Sequence, residues 1–162
     1  MIETFMRSSL ETLKDKKELL GAEVGVANGA NSEAILANLD IKRLFLVDLW
    51  DFRGNKSTSP CEPVEFKQAL KILGNDPRCI FLGLASARAA EFVDDLSLDF
   101  VYIDASHEYE DVKTDILSWV PKVKVGGLVA GHDIGCEGVK RAVDELNVKY
   151  ETGQTDWWFT KC

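Results

Sequence analysis

Apolar and polar residues follow one another along the chain in blocks that predict repeated strand–helix units. The apolar blocks are short and nearly continuous, which is typical of strands buried on both faces of a parallel sheet. Between them lie polar stretches whose apolar residues recur at helical spacing, such as Val112, Ile116 and Val120. The predicted strands are residues 22–27, 43–49, 79–84, 98–104 and 126–133, and the predicted helices are residues 31–39, 62–73, 87–96, 109–120 and 137–146.

A change of pattern near the C-terminus predicts how the sheet ends. The segments VKYE and DWWFTK both have strand-like composition, and only a turn at Gly153 separates them. Strands joined without a crossover helix pair in antiparallel fashion. We therefore expect an α/β fold with a doubly wound sheet, in which parallel strands with right-handed crossovers end in an antiparallel hairpin at one edge.

The first residues, MIETFMRSSLETLKDKK, predict a short amphipathic helix over residues 1–17, with Ile2, Phe5, Met6 and Leu10 on one side. This segment lacks the long apolar core of a secretion signal. The chain of 162 residues contains no repeat and no linker-like stretch. We therefore expect one domain over residues 1–162, made of the N-terminal helix and a doubly wound core over residues 18–162.

Composition narrows the classes of partner and compartment. The formal net charge of −8 argues against broad attraction to nucleic acid or to membrane surfaces. No apolar run approaches the roughly 20 residues of a membrane-spanning helix. The cysteines lack a CxxC spacing, which favours reduced structural thiols in a cytoplasmic protein over a zinc site or a disulfide framework. They are Cys61, Cys79, Cys136 and Cys162.

The turn after the first predicted strand, in EVGVANGANS, is a candidate ligand site. Ligands of open α/β sheets bind beyond the carboxyl ends of the strands. Gly25 permits a tight turn or a close approach of a ligand, and Asn31 or Ser32 is the expected N-cap of the following helix. The free N–H groups of such a helix start favour polar or anionic groups. A tight turn without a ligand would give the same pattern.

Asp48 closes the second predicted strand, about 20 residues after Gly29. That spacing is typical of an acid that accepts hydrogen bonds from ribose hydroxyls. An aspartate that only caps the turn or lies on the surface is the alternative interpretation. Together, Asp48 and the glycine turn indicate an adenosine-containing ligand.

Two stretches of the chain carry a resemblance to a known family. Glu23-x-Gly25-x-Ala27-x-Gly29 resembles motif I, usually (D/E)xGxGxG, of class I S-adenosylmethionine-dependent methyltransferases, with Ala27 replacing the middle glycine. It does not fit the GxGxxG fingerprint of NAD-dependent oxidoreductases, which are the weaker rival. The runs IDASHEYEDVKTD and GGLVAGHD resemble a small branch near the macrolide-sugar and catechol-type O-methyltransferases, methyltransferase family 24-like. The resemblance covers roughly residues 20–160.

This resemblance implies a fold, an activity and a set of cofactor contacts. The fold is a Rossmann-like seven-stranded sheet of order 3-2-1-4-5-7-6 with strand 7 antiparallel. The activity is methyl transfer from S-adenosylmethionine to a hydroxyl of a small molecule or sugar, with a non-catalytic cofactor-binding or interaction domain as the alternative. The implied cofactor contacts are Glu23, Gly25, Ala27, Gly29, Ser32, Asp48, Leu49, Trp50, Ser86 and Asp104.

Within that set the resemblance implies distinct roles. Glu23 would orient the cofactor's amino group, directly or through water, and Asp48 would bind the ribose. Leu49 or Trp50 would flank the adenine, although Trp50 is equally expected as a core aromatic. Asp104 would face the methionine end and the acceptor.

The resemblance also implies a divalent metal, magnesium, manganese or another, at the ends of strands four and five. Asp104, His132 and Asp133 match the ligand pattern of the catechol-type enzymes, in which the metal binds the acceptor oxygen and lowers its pKa. His132 stands where those enzymes usually have a carboxylate, and a histidine suits manganese, iron or zinc better than magnesium. The alternatives are a turn-capping Asp133 and a hydrogen-bonded structural His132.

Asp104 and His107 are the candidate catalytic residues. His107 is a candidate general base for a hydroxyl, and the alternative is a cap of the helix that begins near Glu108. The acids that follow, together with Asp115, are expected on a solvated helix face.

The acceptor side carries weaker signals. Arg53 and Lys56 lie in a long irregular stretch, residues 48–63, where solvated surface charge is the favoured interpretation over contact with an anionic acceptor. The sequence has no large substrate cap beyond the N-terminal helix. This favours an open acceptor site, or one that a partner or a homo-oligomer completes.

Overall fold

A computed structural model describes residues 6–50 and 64–162 of the chain. Its strands form one seven-stranded sheet in the order β3-β2-β1-β4-β5-β7-β6. The strands are β1 Leu19–Val24, β2 Ile41–Val47, β3 Cys79–Leu82, β4 Leu98–Ile103, β5 Val123–Gly131, β6 Glu151–Thr152 and β7 Trp157–Thr160. The helices are α1 Ala30–Asn38, α2 Val64–Leu73, α3 Ser86–Ala90, α4 Tyr109–Trp119 and α5 Glu137–Asp144.

The pairing of the strands confirms the predicted fold class and strand order. The first five strands run parallel to one another, with β1 between β2 and β4. β7 pairs antiparallel with both β5 and β6, because no crossover helix separates the last two strands. Arg53 and Lys56 lie outside the described residues, as do Ile2 and Phe5.

Apolar side chains cover both faces of the sheet. Successive residues of a strand point to opposite faces, so Phe100 and Tyr102 of β4 lie in one buried cluster and Val101 and Ile103 in the other. Full burial of such a side chain contributes about 1.5–3 kcal/mol. This two-sided burial explains the nearly continuous apolar sequence of β4.

The N-terminal segment differs from the predicted helix over residues 1–17. In its described part the helical structure is a short 3-10 helix, Leu10–Leu13. The main-chain N–H and the hydroxyl of Ser9 donate to the buried carboxylate of Asp156, at 3.2 and 2.7 Å. These long-range bonds compete with a regular helix, while Met6, Leu10 and Leu13 still pack into the core as amphipathicity predicts.

Two further findings concern membrane-spanning helices and the state of the cysteines. No helix in residues 6–50 and 64–162 is long and apolar enough to cross a bilayer. Cys79, Cys136 and Cys162 carry free thiols, and Cys61 lies outside the described residues.

The register of the parallel strands determines which residues meet at the carboxyl edge. Val24 pairs with Val47 on one side and with Ile103 on the other, and Ile103 pairs with Gly131. The residues that follow these strand ends therefore lie side by side along one edge of the sheet. They are Gly25, Asp48, Asp104 and His132.

Candidate active site

A cavity of about 510 Å³ opens at this carboxyl edge. Its volume falls within the range of about 300–1,000 Å³ that is typical of small-molecule sites. Four of the predicted cofactor residues, Glu23, Gly29, Ser32 and Trp50, are not part of its lining. The predicted residues that line it are Gly25, Ala27, Asp48, Leu49, Ser86 and Asp104.

Gly25 lets the end of β1 approach the end of β4 closely. Its φ is +90°, and a Cβ at this position would come within 2.0 Å of the carbonyl oxygen of Asp104 and 2.7 Å of Cα of Ala105. Only glycine combines that backbone angle with that approach. Main-chain bonds hold the two ends together: the N–H of Asp104 donates to the carbonyl oxygen of Val24 at 2.7 Å.

Asp48 fixes the same turn from the neighbouring strand. One of its carboxylate oxygens accepts hydrogen bonds from the N–H groups of Val26 and Ala27, both at 2.9 Å. The other oxygen accepts from the N–H of Trp50 at 2.8 Å. A carboxylate can accept about four hydrogen bonds, so this aspartate caps the turn and keeps acceptor capacity toward the cavity that it lines.

Trp50 is a core aromatic, which is one of the two placements that the sequence left open for it. Its side chain is 2% exposed, and its ring lies 5.0 Å from that of Phe66 and 5.8 Å from that of Phe81. Its indole N–H donates to the carbonyl oxygen of Ala27 at 2.9 Å. The left-handed backbone at Trp50, with φ of 36°, accompanies this inward placement. Leu49 lines the cavity instead and is 51% exposed.

Glu23 lies behind the cavity, buried at 1% exposure. Its carboxylate accepts hydrogen bonds from the side-chain amide of Asn31, at 3.0 Å, and from the hydroxyl of Ser32. The predicted N-cap role of Asn31 or Ser32 is therefore wrong, because both side chains turn toward Glu23. Helix α1 instead starts after Gly29, whose φ is 87°.

Burial raises the pKa of Glu23 to about 7, although the bonds from Ser32 and Asn31 oppose the rise. Glu23 and Ser32 are among the cofactor contacts that the family resemblance implied. In the structure both side chains lie behind the glycine turn, hydrogen-bonded to each other, and neither forms part of the cavity wall.

Glu23 should make the protein's stability depend on pH. A carboxyl group with a pKa of about 7 in the folded chain and 4.5 unfolded binds more protons when folded, so the free energy of unfolding falls as pH rises across that interval. The fall is on the order of 3 kcal/mol. We expect the free energy of unfolding of Glu23→Gln, measured by urea unfolding between pH 5 and pH 8, not to show this fall. Glu33→Gln, at an exposed position of helix α1, should keep this fall. An unchanged slope in Glu23→Gln would refute the assignment.

Asp115 is a residue of the cavity wall that the sequence analysis placed on an exposed face, and that prediction is wrong. Its side chain is buried and lines the cavity beside Ser86. Burial raises the pKa of Asp115, and a hydrogen bond from Ser86 opposes the rise. The Ser86 hydroxyl also accepts a hydrogen bond from the indole of Trp119 at 2.8 Å. The helical spacing of Asp115 from Val112 could have revealed it, since residues three apart share a face.

At the other side of Asp104 lies a cluster of titratable groups. The Nε2 atom of His107 is 2.7 Å from Oδ2 of Asp133, and the Nδ1 atom of His132 is 3.1 Å from the same oxygen. One donor atom each from Asp104, His107 and Asp133 lies within 4.8 Å of the others. The predicted metal set contained His132 in place of His107.

His107 points into this cluster and does not cap the following helix. Helix α4 begins at Tyr109 without a side-chain cap. The hydroxyl of Ser106 accepts a hydrogen bond from the main-chain N–H of Glu108 instead, at 3.2 Å. This leaves the imidazole of His107, which is half-exposed, free to contact Asp133.

Arg7 enters the site from the N-terminal segment, and the sequence analysis missed it. Its guanidinium lies 2.7 Å from Nε2 of His132 and 3.9 Å from a carboxylate oxygen of Asp104. Burial raises the pKa of Asp104, while the nearby His132 and Arg7 oppose the rise. No local pattern marked Arg7, because its partners His132 and Asp104 are far away along the chain.

The geometry combines two chemical environments that share one residue. Asp104 lines the cavity and also belongs to the group of donors formed with His107 and Asp133. A ligand held in the cavity would therefore end beside carboxylate and imidazole groups, which can bind a cation or accept a proton.

Comparison with known proteins identifies the family. The sequence model of a family described as methyltransferase domain matches residues 22–134, which is more than half of the chain. The uncharacterized protein y4gI of Sinorhizobium fredii is 38% identical over 45 residues, which make up 28% of this chain and 5% of that protein.

Solved structures of low sequence identity share the fold. SMU.1697c of Streptococcus mutans, assigned as a methyltransferase and solved with S-adenosylhomocysteine, superposes with a TM-score of 0.70 at 12% identity, over 98% of this chain and all of that one. The methyltransferase MycE of the mycinamycin biosynthetic pathway, solved with magnesium, S-adenosylhomocysteine and mycinamycin VI, gives 0.67 at 14% identity. The likeness to MycE covers 94% of this chain and 47% of that one, so the chain spans about half of its length.

Proposed function

The chain belongs to the family of S-adenosylmethionine-dependent methyltransferase domains, and we propose that it methylates a hydroxyl oxygen of a small molecule or sugar. The observation that carries the proposal is the position of Asp104. It joins a cavity of cofactor size to a cluster of groups able to activate a hydroxyl. The family match argues against the rival interpretation as an NAD-dependent oxidoreductase.

The cavity wall supports a definite orientation of the cofactor. The methionine part would lie against the Gly25 turn, the ribose beside Asp48, and the adenine between Leu49 and the segment at Ser86. The close approach at Gly25 supports this arrangement, because it leaves the main chain, without a side chain, facing the ligand. The cofactor supplies a methyl group on a positively charged sulfur, whose bond to that carbon breaks as the acceptor oxygen attacks.

The acceptor side has donors that fit a divalent cation. Asp104, His107 and Asp133 would hold it, and the mixture of one imidazole and two carboxylates suits manganese, iron or zinc better than magnesium. A cation bound there would lower the pKa of an acceptor hydroxyl. MycE, which shares this fold, was solved with magnesium, and this supports the proposal of a divalent metal.

The protein's own residues would position the acceptor and manage its proton. Asp104 would orient the hydroxyl toward the methionine end of the cavity, which matters because transfer requires the reacting atoms to be aligned. His107, whose Nε2 lies beside Asp133, is the nitrogen base of the cluster. If transfer does not need a metal, Nδ1 of His107 would take the hydroxyl proton, while the N–H at Nε2 donates to Asp133, which would stabilise the imidazolium.

Charge supports a small acceptor rather than nucleic acid. The chain carries a formal net charge of −8, and the acceptor side itself contains two carboxylates. Cytoplasmic location and assembly into a homo-oligomer remain predictions of the sequence.

One set of measurements tests the proposed function. Calorimetry should show binding of S-adenosylhomocysteine and no binding of NAD. Methyl transfer to a panel of hydroxyl-bearing small molecules and sugars should fall at least about tenfold in excess chelator and return when manganese is added. A domain that binds S-adenosylhomocysteine but methylates no acceptor would be the non-catalytic alternative. Full activity in chelator would refute the metal and leave His107 as the base.

A further inference from the structure

The N-terminal segment carries one residue into the acceptor side of the site. Arg7 lies outside residues 22–134, the part of the chain that matches the methyltransferase family. One guanidinium nitrogen of Arg7 is 2.7 Å from Nε2 of His132, and the other terminal nitrogen is 3.9 Å from a carboxylate oxygen of Asp104. The contact is half-buried, because the Arg7 side chain is 31% exposed and that of His132 is 15% exposed.

A buried hydrogen-bond network anchors this segment two residues beyond Arg7. Asp156, which precedes β7, accepts hydrogen bonds from both the N–H and the hydroxyl of Ser9. Its second oxygen accepts from the hydroxyl of Tyr102 on β4 at 3.0 Å. Ser9, Tyr102 and Asp156 are almost fully buried, so the network fixes where the segment crosses the sheet. The buried hydrogen bonds of Ser9 therefore hold Arg7 next to the site.

The chemistry of the two side chains decides how the His132 ring is used. A guanidinium has only N–H donors, so the Nε2 atom that it contacts at 2.7 Å must act as the acceptor. The proton of a neutral ring then sits on Nδ1, where the N–H faces Oδ2 of Asp133 at 3.1 Å. This chain of contacts runs from Arg7 through His132 to Asp133 and reaches His107, whose Nε2 is 2.7 Å from the same oxygen.

We propose that Arg7 is a positioning residue of the acceptor site, which fixes the ring of His132 and thereby the carboxylate of Asp133. Hydrogen-bond partners behind a functional group set its orientation, and their loss typically costs about 10–100-fold in activity. The N-terminal segment thus completes a site whose other groups lie at the ends of β4 and β5. The kinetic consequence of this inference rests on the proposed function, whereas the contact between Arg7 and His132 does not.

Nuclear magnetic resonance of the full chain tests the contact directly. The chain has two histidines, so a long-range proton–nitrogen spectrum contains two imidazole rings, and His107→Gln assigns them. We expect His132 to carry its proton on Nδ1 and to have an unprotonated Nε2. In Arg7→Met the Nε2 resonance should move, because that atom loses its donor. Lys16→Met removes the same charge from an exposed position of the same segment and should leave the resonance in place.

Kinetics test the positioning role. We expect Arg7→Met to lower kcat about 10–100-fold with little change in affinity for S-adenosylhomocysteine, and methylguanidinium in the buffer to restore part of the loss. Arg7→Lys should retain more activity than Arg7→Met, since an ammonium can still donate to Nε2. Lys16→Met should match the unmodified protein.

Three results would overturn the inference. They are a proton on Nε2 of His132 in the unmodified protein, an Nε2 resonance that Arg7→Met leaves in place, and a moved resonance with unchanged kcat. If the unmodified protein methylates no acceptor while the resonance moves as expected, the proposed function fails and the contact between Arg7 and His132 stands.

Discussion

Asp104→Asn should lower kcat for methyl transfer by about 10²–10⁴-fold, the range typical of a lost acid–base or charge-bearing group. Asp104 is the residue that the proposed cofactor cavity and the donor cluster have in common. Asparagine keeps its shape but removes the negative charge, and it places an N–H₂ donor beside the donors of Arg7 and His132. Steady-state assays with saturating cofactor would measure the loss.

The variant should keep its fold and its cofactor affinity. Burial already raises the pKa of Asp104, so a neutral side chain of the same size removes an unfavourable charge rather than creating one. We expect an unchanged melting temperature and an affinity for S-adenosylhomocysteine close to that of the unmodified protein. Asp94→Asn, at an exposed position, is the matched control and should leave kcat unchanged. Equal kcat in the two variants would show that Asp104 has no part in the chemistry.

Gly25→Ala should weaken binding of S-adenosylhomocysteine by more than about tenfold and lower the melting temperature. A Cβ here meets the main chain of Asp104 and Ala105, which cannot rotate away as a flexible side chain could. The ends of β1 and β4 must then separate, which widens the turn that faces the cavity. The left-handed backbone angle adds about 1–2 kcal/mol for a residue with a Cβ. Calorimetry and thermal unfolding would measure the two effects.

Gly126→Ala is the control for the backbone angle, because Gly126 has a left-handed angle without a close approach to another strand. Gly126 has φ of +80°, nearly that of Gly25, but a Cβ there meets no atom of the described residues within 4 Å. Its replacement should lower the melting temperature by only a few degrees, since 1 kcal/mol corresponds to about 2–4 °C in a chain of this size. Cofactor affinity should not change. If Gly25→Ala were no more harmful than Gly126→Ala, the approach of β1 to β4 would not matter for binding.

Much of the cofactor side was visible in the sequence because it depends on local pattern. Apolar blocks predict strands, and the first polar residue after each block must lie at the carboxyl edge when the strands are parallel. Gly25, Asp48 and Asp104 were found in this way, and all three line the cavity. The sequence left the placement of Trp50 open and misplaced Asp115. A turn of left-handed backbone at Trp50 and the face of α4 that carries Asp115 decide whether these side chains point toward the core or the solvent.

The acceptor side depended on contacts between distant parts of the chain. The sequence placed Asp104, His107, His132 and Asp133 in one region, but it could not decide which imidazole meets which carboxylate. The pairing depends on the direction of each side chain. Arg7 restricts the ring of His132 by occupying its Nε2 atom, so that Nδ1 faces the carboxylates. His132, which Arg7 contacts, and Asp156, which holds the anchor Ser9, are each more than a hundred residues away along the chain.

The sequence by itself therefore determined the alternation of strands and helices, the antiparallel end of the sheet and the glycine turn, because periodicity and turn chemistry act between near neighbours. Through the resemblance of its motifs to a known family, it also predicted the strand order and the cofactor. The tertiary structure alone decided that Glu23 and Ser32 support the turn from behind, that His107 lies with Asp104 and Asp133 in the candidate donor set, and that Arg7 contacts His132. These are outcomes of burial and of competition for hydrogen-bond partners, and both exist only once distant segments of the chain have packed together.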